Sequence, residues 1–585
     1  MSNAKRILAD IGIAPAETHF RAPIPNCHSV RLELPTYPGM SVAGKGTSLE
    51  WARASAYGEL LEYIQNRAFP EILYGLMPAQ QTVFPDQASS TFSEAWLRIR
   101  PVLECLVESP VETSPIASAP KMDLVPWLCV ETGEVEFLPM RLVHLACGSN
   151  GMCAGNTPAE ALVHGICEMM EHFVVKQIYM HNQFRFPTIP DSTITAHESY
   201  VLVEEARQAG YRVILKDCTL GGLYPVLGMI LLHAESGSYR VKFAADPSFD
   251  IALQRCVTEA FQGIGSNASP SSWMNKLDYR TPYYTEGPFD SPDKNRLVEY
   301  HKTMTFGTGV LPYEILFAEG TPAFENAFVD GDQSNESALS YLRQRLEQAD
   351  KRLYVRDVSF LGFPTFRVYV PGMSEWHKLT HDRLRFDYAQ LRRCLLTLTE
   401  ASADDIRTCV DLVEQARNEF PDFYVQPSDM VRQWACVRFK EVSDFDRFSN
   451  VDLLLTLLYS RLGAHAGAVG ALRRYLDSEP TVKNRDYFVA ALTYFRLMAD
   501  GREVAETVVE LETLFGAEMS AEIVNDLAKP GKALDDWVLP LCGECETCPV
   551  NSACCYAEWE DVTSRLTTAM AASTIDQRGL ATLFR

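Results

Sequence analysis

At 585 residues, with 47% hydrophobic and 22% charged side chains, the chain has an ordinary globular composition, room for roughly two to four domains, and no bias toward extended disorder. A formal net charge of −23 argues against general binding to nucleic acid or an anionic membrane, both of which need a basic footprint, but leaves open phosphates bridged by Mg2+. The N-terminus, MSNAKRILADIGI, lacks the apolar core of a signal peptide, and no apolar run reaches membrane-spanning length, so the expectation is a cytoplasmic protein with no membrane partner.

In chain order, a short helix pattern precedes an extended segment at His28–Leu34. A glycine turn around Lys45 then leads into a helix with Ser55, Glu59 and Glu62 on one side and Leu60, Leu61 and Ile64 on the other. Residues 70–145 mix short apolar runs with Pro and Ser and predict strands and surface loops. A Gly-rich loop follows from Ser149 to Asn156, and Pro158 fits the first turn of the next helix, where its missing N–H costs nothing. Thr157 is the natural N-cap, and Glu160 completes a capping box. Along that helix Leu162, Ile166, Met169, Met170 and Phe173 share one side, while Glu160, His164, Glu168 and Glu171 gather on the other. Carboxylates on one face repel each other unless a cation sits among them, and Mg2+ commonly sits between carboxylates and phosphates. Taken alone, each acidic face reads equally as a solvated surface.

Further on, His197–Gly210 predicts a helix, and Tyr211–Asp217, Leu223–Leu232 and Tyr239–Ala245 predict strands. Ile251–Gln262 is helical, with Arg255 and Glu259 four apart. That pair reads as a surface ion pair of about 0.3–0.5 kcal/mol, or as an Arg for phosphate and a Glu for metal. Arg343–Leu353 predicts a helix, and Arg356–Glu375 a strand, turn and strand. The expectation is one large α/β (α+β) domain over residues 1–390. A helical domain over 391–540 follows, in which Tyr459, Arg461 and Leu462 recur as Tyr494, Arg496 and Leu497, close to the tetratricopeptide period. A Cys-rich segment, 541–585, ends the chain. Of 16 cysteines, eleven are scattered and read as small buried hydrophobes; the rest crowd into CGECETCPVNSACC. Cys542, Cys545, Cys548 and Cys554 offer four ligands for zinc or an iron–sulfur cluster, and a metal-free turn is the third reading.

The three loop–helix segments together resemble the YcaO family. SNGM-x-AGNT-x2-EA followed by Glu168 and Glu171 is similar to the family signature nearly residue for residue; S-x3-E-x2-E at Ser55, Glu59 and Glu62, and ALQRCVTE around Arg255 and Glu259, are similar to its flanking motifs. The resemblance runs from about residue 25 to 385, and length and helical region resemble the long bacterial members. It implies an Mg2+–ATP site containing Ser55, Asn156 and Arg255, with Glu59, Glu62, Glu160, Glu168, Glu171 and Glu259 toward Mg2+, and ATP-dependent activation of a peptide backbone amide. Where the family often has Arg after the last Glu of its first two motifs, this chain has Tyr63 and His172. The long form's extra N-terminal segment, with a nucleotide-contacting Lys, lies before where this chain starts, which leaves Lys45 as the candidate in its place. The C-terminus, ATLFR, lacks the proline-rich tail of azoline-forming members, which favours thioamide or related chemistry. The resemblance also implies a homodimer and an alternative role, as an ATP-using accessory to β-methylthiolation of a small-subunit ribosomal protein by the radical enzyme RimO.

Overall fold

The computed structural model describes residues 1–35, 40–67, 84–108, 122–181, 186–276, 292–307, 309–311, 320–329, 331, 333–380, 383–384, 386–398, 400–419, 450–478, 484–529 and 556–584. The cysteines at 542, 545, 548 and 554 lie outside these residues.

Helix α1 (Ser2–Asp10) leads into an antiparallel sheet of β1 (Ala16–Ile24), β2 (Cys27–Glu33) and β3 (Ser41–Gly46), covered by α2 (Leu49–Gln65). The glycines flanking Lys45 lie in strand β3 and do not form the expected turn. Their role is close approach. A Cβ on Gly44 would collide with the backbone of Ala52 and Ala56, and one on Gly46 would lie 2.6 Å from the Trp51 Cβ, so α2 rests directly on the β3 backbone.

The second sheet is built from β4 (Ala88–Ser90), β5 (Met122–Cys129), β6 (Val135–Leu138) and β7 (Met152–Ala154), with two later strands inserted. Residues 70–145 also hold helices that the sequence reading lacked: α3 (Phe92–Leu106), which kinks at Ile99 ahead of Pro101, and α4 (Met140–Cys147). The proline and the short length hid them. The Gly-rich loop likewise contains β7, and Gly151 is needed at φ 87°, where its backbone meets the Val368 carbonyl.

Helix α5 (Pro158–Met180) is the axis of the molecule. Thr157 caps it as expected, accepting from Glu160 N. The full capping box does not form, because the Glu160 carboxylate reaches past Thr157 to accept from Asn156 N at 3.2 Å and Nδ2 at 3.0 Å. Helix α6 (Tyr200–Gln208) precedes the third sheet, in which β8 (Arg212–Asp217), β9 (Val226–His233) and β10 (Ser238–Ala245) run antiparallel. Helix α7 (Phe249–Ala260) covers one face of it, and the short β11 (Asn275–Lys276) pairs only with Ser238 and Tyr239. After α8 (Pro292–Phe306), helix α9 (Asn335–Gln348) starts earlier than predicted because Ser334 caps it, accepting from Ser337 N. Strands β12 (Tyr354–Asp357) and β13 (Thr365–Tyr369) complete the second sheet in the order β4-β5-β12-β13-β7, with β6 on β5.

Leu162, Ile166, Met170 and Val174 of α5 are fully buried between Val241 and Phe243 of the third sheet and Phe366 and Val368 of the second. Its opposite face is enclosed as well: Glu171 is only 6% exposed. At Glu171 the acidic face is therefore enclosed, while Glu160, His164 and Glu168 are half-buried.

Beyond residue 387 the described chain is all helix: α10 (Tyr388–Leu396), α11 (Ala403–Glu419), α12 (Val451–Arg461), α13 (His465–Ser478), α14 (Arg485–Ala499), α15 (Val504–Phe515) and α16 (Ala517–Leu527). The 35-residue spacing puts Tyr459 in α12 and Tyr494 in α14, alternate helices of the stack. The chain then returns to its start. Val562, Leu566 and Met570 of α17 (Tyr556–Ala572) pack with Ile7 and Leu8 of α1 and Leu60 and Ile64 of α2. No described helix is long and apolar enough to cross a membrane.

Candidate functional site

Three helices and three strands meet at one largely half-buried cluster of charge. In β3, alternation turns Lys45 away from α2 while its flanking glycines face that helix, and Lys45 Nζ reaches Glu259 Oε1 at 3.0 Å. The last turn of α7, which carries Glu259, is tied to the same sheet: Gln262 Nε2 donates to the Ala43 carbonyl, and Gly263 N donates to Ser29 Oγ at 3.0 Å. Arg255, one turn earlier, lies 3.9 Å from Glu259. Ser48 starts α2 by accepting from Trp51 N, and the helix then carries Ser55, Glu59 and Glu62. Helix α5 supplies Glu168 and Glu171.

The carboxylates feel one another. Burial, with added repulsion from Glu259, lifts Glu59 to about 7 against the pull of Lys45. Burial, then Glu168 and Glu59, holds Glu62 well above the usual carboxylate range. Burial raises Glu168 to about 7, although Arg255 and Lys45 pull it down. Burial and Glu259 raise Glu171 to about 8. Glu259 goes the other way. Burial pushes it up, but Lys45, Arg255 and Lys242 outweigh burial and hold it at about 2. Burial depresses Arg255, yet Glu259 and Glu171 raise it overall, so its guanidinium is permanently charged. Burial drives His164 down to about 3, a neutral imidazole. Burial and mutual repulsion thus keep Glu59, Glu62, Glu168 and Glu171 inclined to hold protons, and a cation bound among them would favour their ionised forms.

The structure brings together Lys45, Glu59, Glu62, Glu168, Glu171, Arg255 and Glu259. Asn156 and Glu160 instead pair with each other at the start of α5. Ser55 sits one turn before Glu59 on α2. Among the described residues no three His, Cys, Asp or Glu side chains close up into a metal cage by themselves. Mg2+ is commonly held by one or two carboxylates with phosphate and water completing its shell, so this arrangement fits Mg2+ together with a phosphate and not Mg2+ alone.

Three charged groups here escaped the sequence reading. Lys242, in β10, faces Glu259 and Glu171, and burial lowers it to about 8. Arg367, in β13, is fully buried, donates to the Gly148 carbonyl at 2.6 Å and opposes the rise of Glu62. Asp246, just after β10, is raised to about 6 by burial and lies within the field of Arg255. The signal was a Lys or Arg inside an apolar strand, as in YRVKFAA and TFRVY. The two positions that depart from the signature carry no cation: Tyr63 is raised by burial and hydrogen-bonds Ser149, and burial lowers His172 to about 4, its ring 5.6 Å from that of Trp376.

Residues 43–374, more than half of the chain, match the family described as YcaO cyclodehydratase, ATP- and Mg2+-binding. The chain belongs to the YcaO family. Among YcaO relatives it is 26% identical over 442 residues to the Escherichia coli (strain K12) protein named ribosomal protein S12 methylthiotransferase accessory factor YcaO, covering 71% of this chain and 72% of that one. An uncharacterized Haemophilus influenzae protein is 26% identical over 394 residues, covering 63% of each. Solved structures it resembles include the YcaO protein of Methanopyrus kandleri bound with AMPPCP and Mg2+ (18% identity, TM-score 0.40, 63% of this chain and 88% of that one). A heterocyclase in complex with substrate and cofactor is also similar (15% identity, TM-score 0.43, 64% of this chain and 52% of that one). The YcaO match spans all three glutamate-bearing helices, so the elements that build the charge cluster are those of the family.

Proposed function

We propose that this YcaO protein is an ATP- and Mg2+-dependent enzyme that activates a backbone amide of a peptide or protein by phosphorylation, with thioamide or related chemistry favoured over azoline formation. The observation that carries the reading is the enclosure of Glu59, Glu62, Glu168, Glu171 and Glu259 with Lys45 and Arg255 in one buried cluster. Mg2+ bound among the glutamates would neutralise phosphate charge during transfer. The chain's own contribution is positional. Glu59, Glu62, Glu168 and Glu171 supply oxygen donors from two helices. Arg255, permanently charged, steadies the transferring phosphoryl group. Lys45, braced on Glu259, sits at the edge of the same space. A nucleophile attacks the amide carbonyl carbon, the resulting oxyanion takes the γ-phosphoryl group with release of ADP, and phosphate then leaves with the former amide oxygen. The glutamates act as ligands and not as general bases, which accounts for so much negative charge facing inward. Asn156 and Glu160, paired at the helix start, would have to part to reach a nucleotide.

A second reading, an ATP-using accessory to a ribosomal protein methylthiotransferase, is favoured by the name of the E. coli relative. Helices α10 to α16, read as tetratricopeptide-like units, would then dock the partner, or a second copy in a homodimer.

Titration calorimetry of ATP with Mg2+ into the wild type and Glu168→Gln, with phosphate release followed in the same samples, tests the proposal. Binding in the wild type and its loss in the variant support a nucleotide site at the glutamates. Absence of binding in the wild type overturns it.

A further inference from the structure

The cluster contains a cation that no carboxylate of the described residues pairs with. Lys45 and Arg255 both lie within ion-pair distance of Glu259, at 3.0 and 3.9 Å. Lys242 has no ion pair within 4.0 Å among the described residues, although Glu259 and Glu171 both act on it electrostatically. Its position is built. In β10 it pairs with Met229 of β9 and so faces the α7 side of the sheet, and Cys256 of α7 bonds its carbonyl. Beyond Tyr239 no described strand covers the other edge of β10. There Gly307, at φ 66°, closes α8 against the lysine stem; a Cβ at Gly307 would lie 3.0 Å from Lys242 Cε and 2.9 Å from Arg240 Nε. The neighbouring arginine is otherwise engaged, donating to the Trp273 carbonyl at 3.4 Å and lying over the Trp273 ring. The fold therefore half-buries an ammonium within the field of Glu259 and Glu171 and leaves it without an ion pair among the described residues.

An ammonium removed from water without a counter-ion is destabilising, and it becomes favourable when an anion arrives. Of the cations nearest that space Lys45 is held by Glu259 at 3.0 Å and Arg255 lies 3.9 Å from it, and the positions after Glu62 and Glu171 are the uncharged Tyr63 and His172. We infer that Lys242 binds the terminal phosphoryl group of the nucleotide beside Arg255, so that this site selects a nucleoside triphosphate over a diphosphate. The inference rests on the nucleotide reading given above and names which part of the nucleotide Lys242 serves. Lysine meets phosphate as a point charge with three donors, which suits a group that must leave.

The test compares ATP and ADP binding, each with Mg2+, in the wild type, Lys242→Met and Lys242→Arg by titration calorimetry, with thermal melts of the ligand-free proteins. The expected result is a loss of roughly ten-fold or more in ATP affinity for Lys242→Met, as for a lost hydrogen bond to a charged group, with ADP affinity changed less than about two-fold. Lys242→Arg should recover part of the ATP affinity, and the ligand-free melt of Lys242→Met should not fall. Equal weakening of ATP and ADP, or a lowered ligand-free melt, makes Lys242 structural and overturns the inference. Unchanged ATP affinity in Lys242→Met also overturns it while leaving the nucleotide reading intact. Failure of the wild type to bind either nucleotide overturns both together.

Discussion

Lys45 and Glu259 meet at 3.0 Å across 214 residues of sequence, one from the middle of β3 and the other from the last turn of α7. The contact joins the first sheet to the third at the mouth of the acidic cluster, and it keeps Glu259 at about 2 while its neighbours are pushed upward. Breaking such a pair leaves an uncompensated buried charge. Lys45→Met should cost about 1–3 kcal/mol in urea unfolding, because the lysine is only partly shielded, whereas Lys45→Met combined with Glu259→Gln should recover most of the loss. An additive double variant would show that the two side chains do not depend on each other.

Gly44→Ala should be far more damaging than its single methyl suggests, since the new Cβ would enter the backbone of α2. A loss of about 3 kcal/mol or more is expected. Gly58→Ala, in the same helix but with nothing near its Cβ, should stabilise by about 0.5–1 kcal/mol. Chemical denaturation of both variants checks the contrast; similar behaviour would refute the tight seating of α2.

Stability of the cation-free protein should fall as pH rises. Glu59, Glu168 and Glu171 have folded values of about 7, 7 and 8 against 4.5 for an unhindered carboxylate. Below about 4.5 both folded and unfolded chains are protonated and the groups contribute nothing. Between 4.5 and 8 the unfolded chain releases protons that the folded one retains, so raising the pH favours unfolding. Melting curves from pH 7 to 8.5, above the range in which the buried neutral histidines His164 and His172 act in the opposite direction, should show a decline that Mg2+ with ATP flattens. A rise over that range would contradict the buried-cluster picture.

Glu168→Gln removes one of these charges without changing shape. It should melt several degrees higher than the wild type in the absence of Mg2+ while losing at least about 100-fold in phosphate release. Stability and activity moving in the same direction would mean that Glu168 serves packing.

How much of this could be read from the residues differs from place to place. Helix α5 was legible because Thr157, Pro158 and the apolar spacing all point the same way. Strands β8 to β10 were legible as apolar runs. Lys45 was noticed for its glycines, but those glycines were misread as a turn because close packing of α2 on β3 is a tertiary fact. Helix α3 was hidden by Pro101, which a kink at Ile99 accommodates. Glu160 looked equivalent to Glu168 by helical spacing, yet sits at the helix start, where Asn156 claims it. Lys242 shows in the sequence only as a lysine inside an apolar strand, with no periodicity to place it; the arrival of α5 and α7 gives it a surrounding.

The return of α17 to the first sheet bears on when the protein can come into being. Arg67, two residues past α2, hydrogen-bonds Thr567 of α17 across 500 positions of sequence. The helix bearing Glu59 and Glu62 is thus clamped by a stretch synthesised some 500 residues later. At about 5–20 residues per second, a ribosome needs roughly 25–100 s to travel that distance. Throughout that time one apolar flank of α2 waits uncovered, so a nascent or prematurely terminated chain should be a client for chaperones and a target for proteases, and the seat of Glu59 and Glu62 should be complete only once α17 has been made.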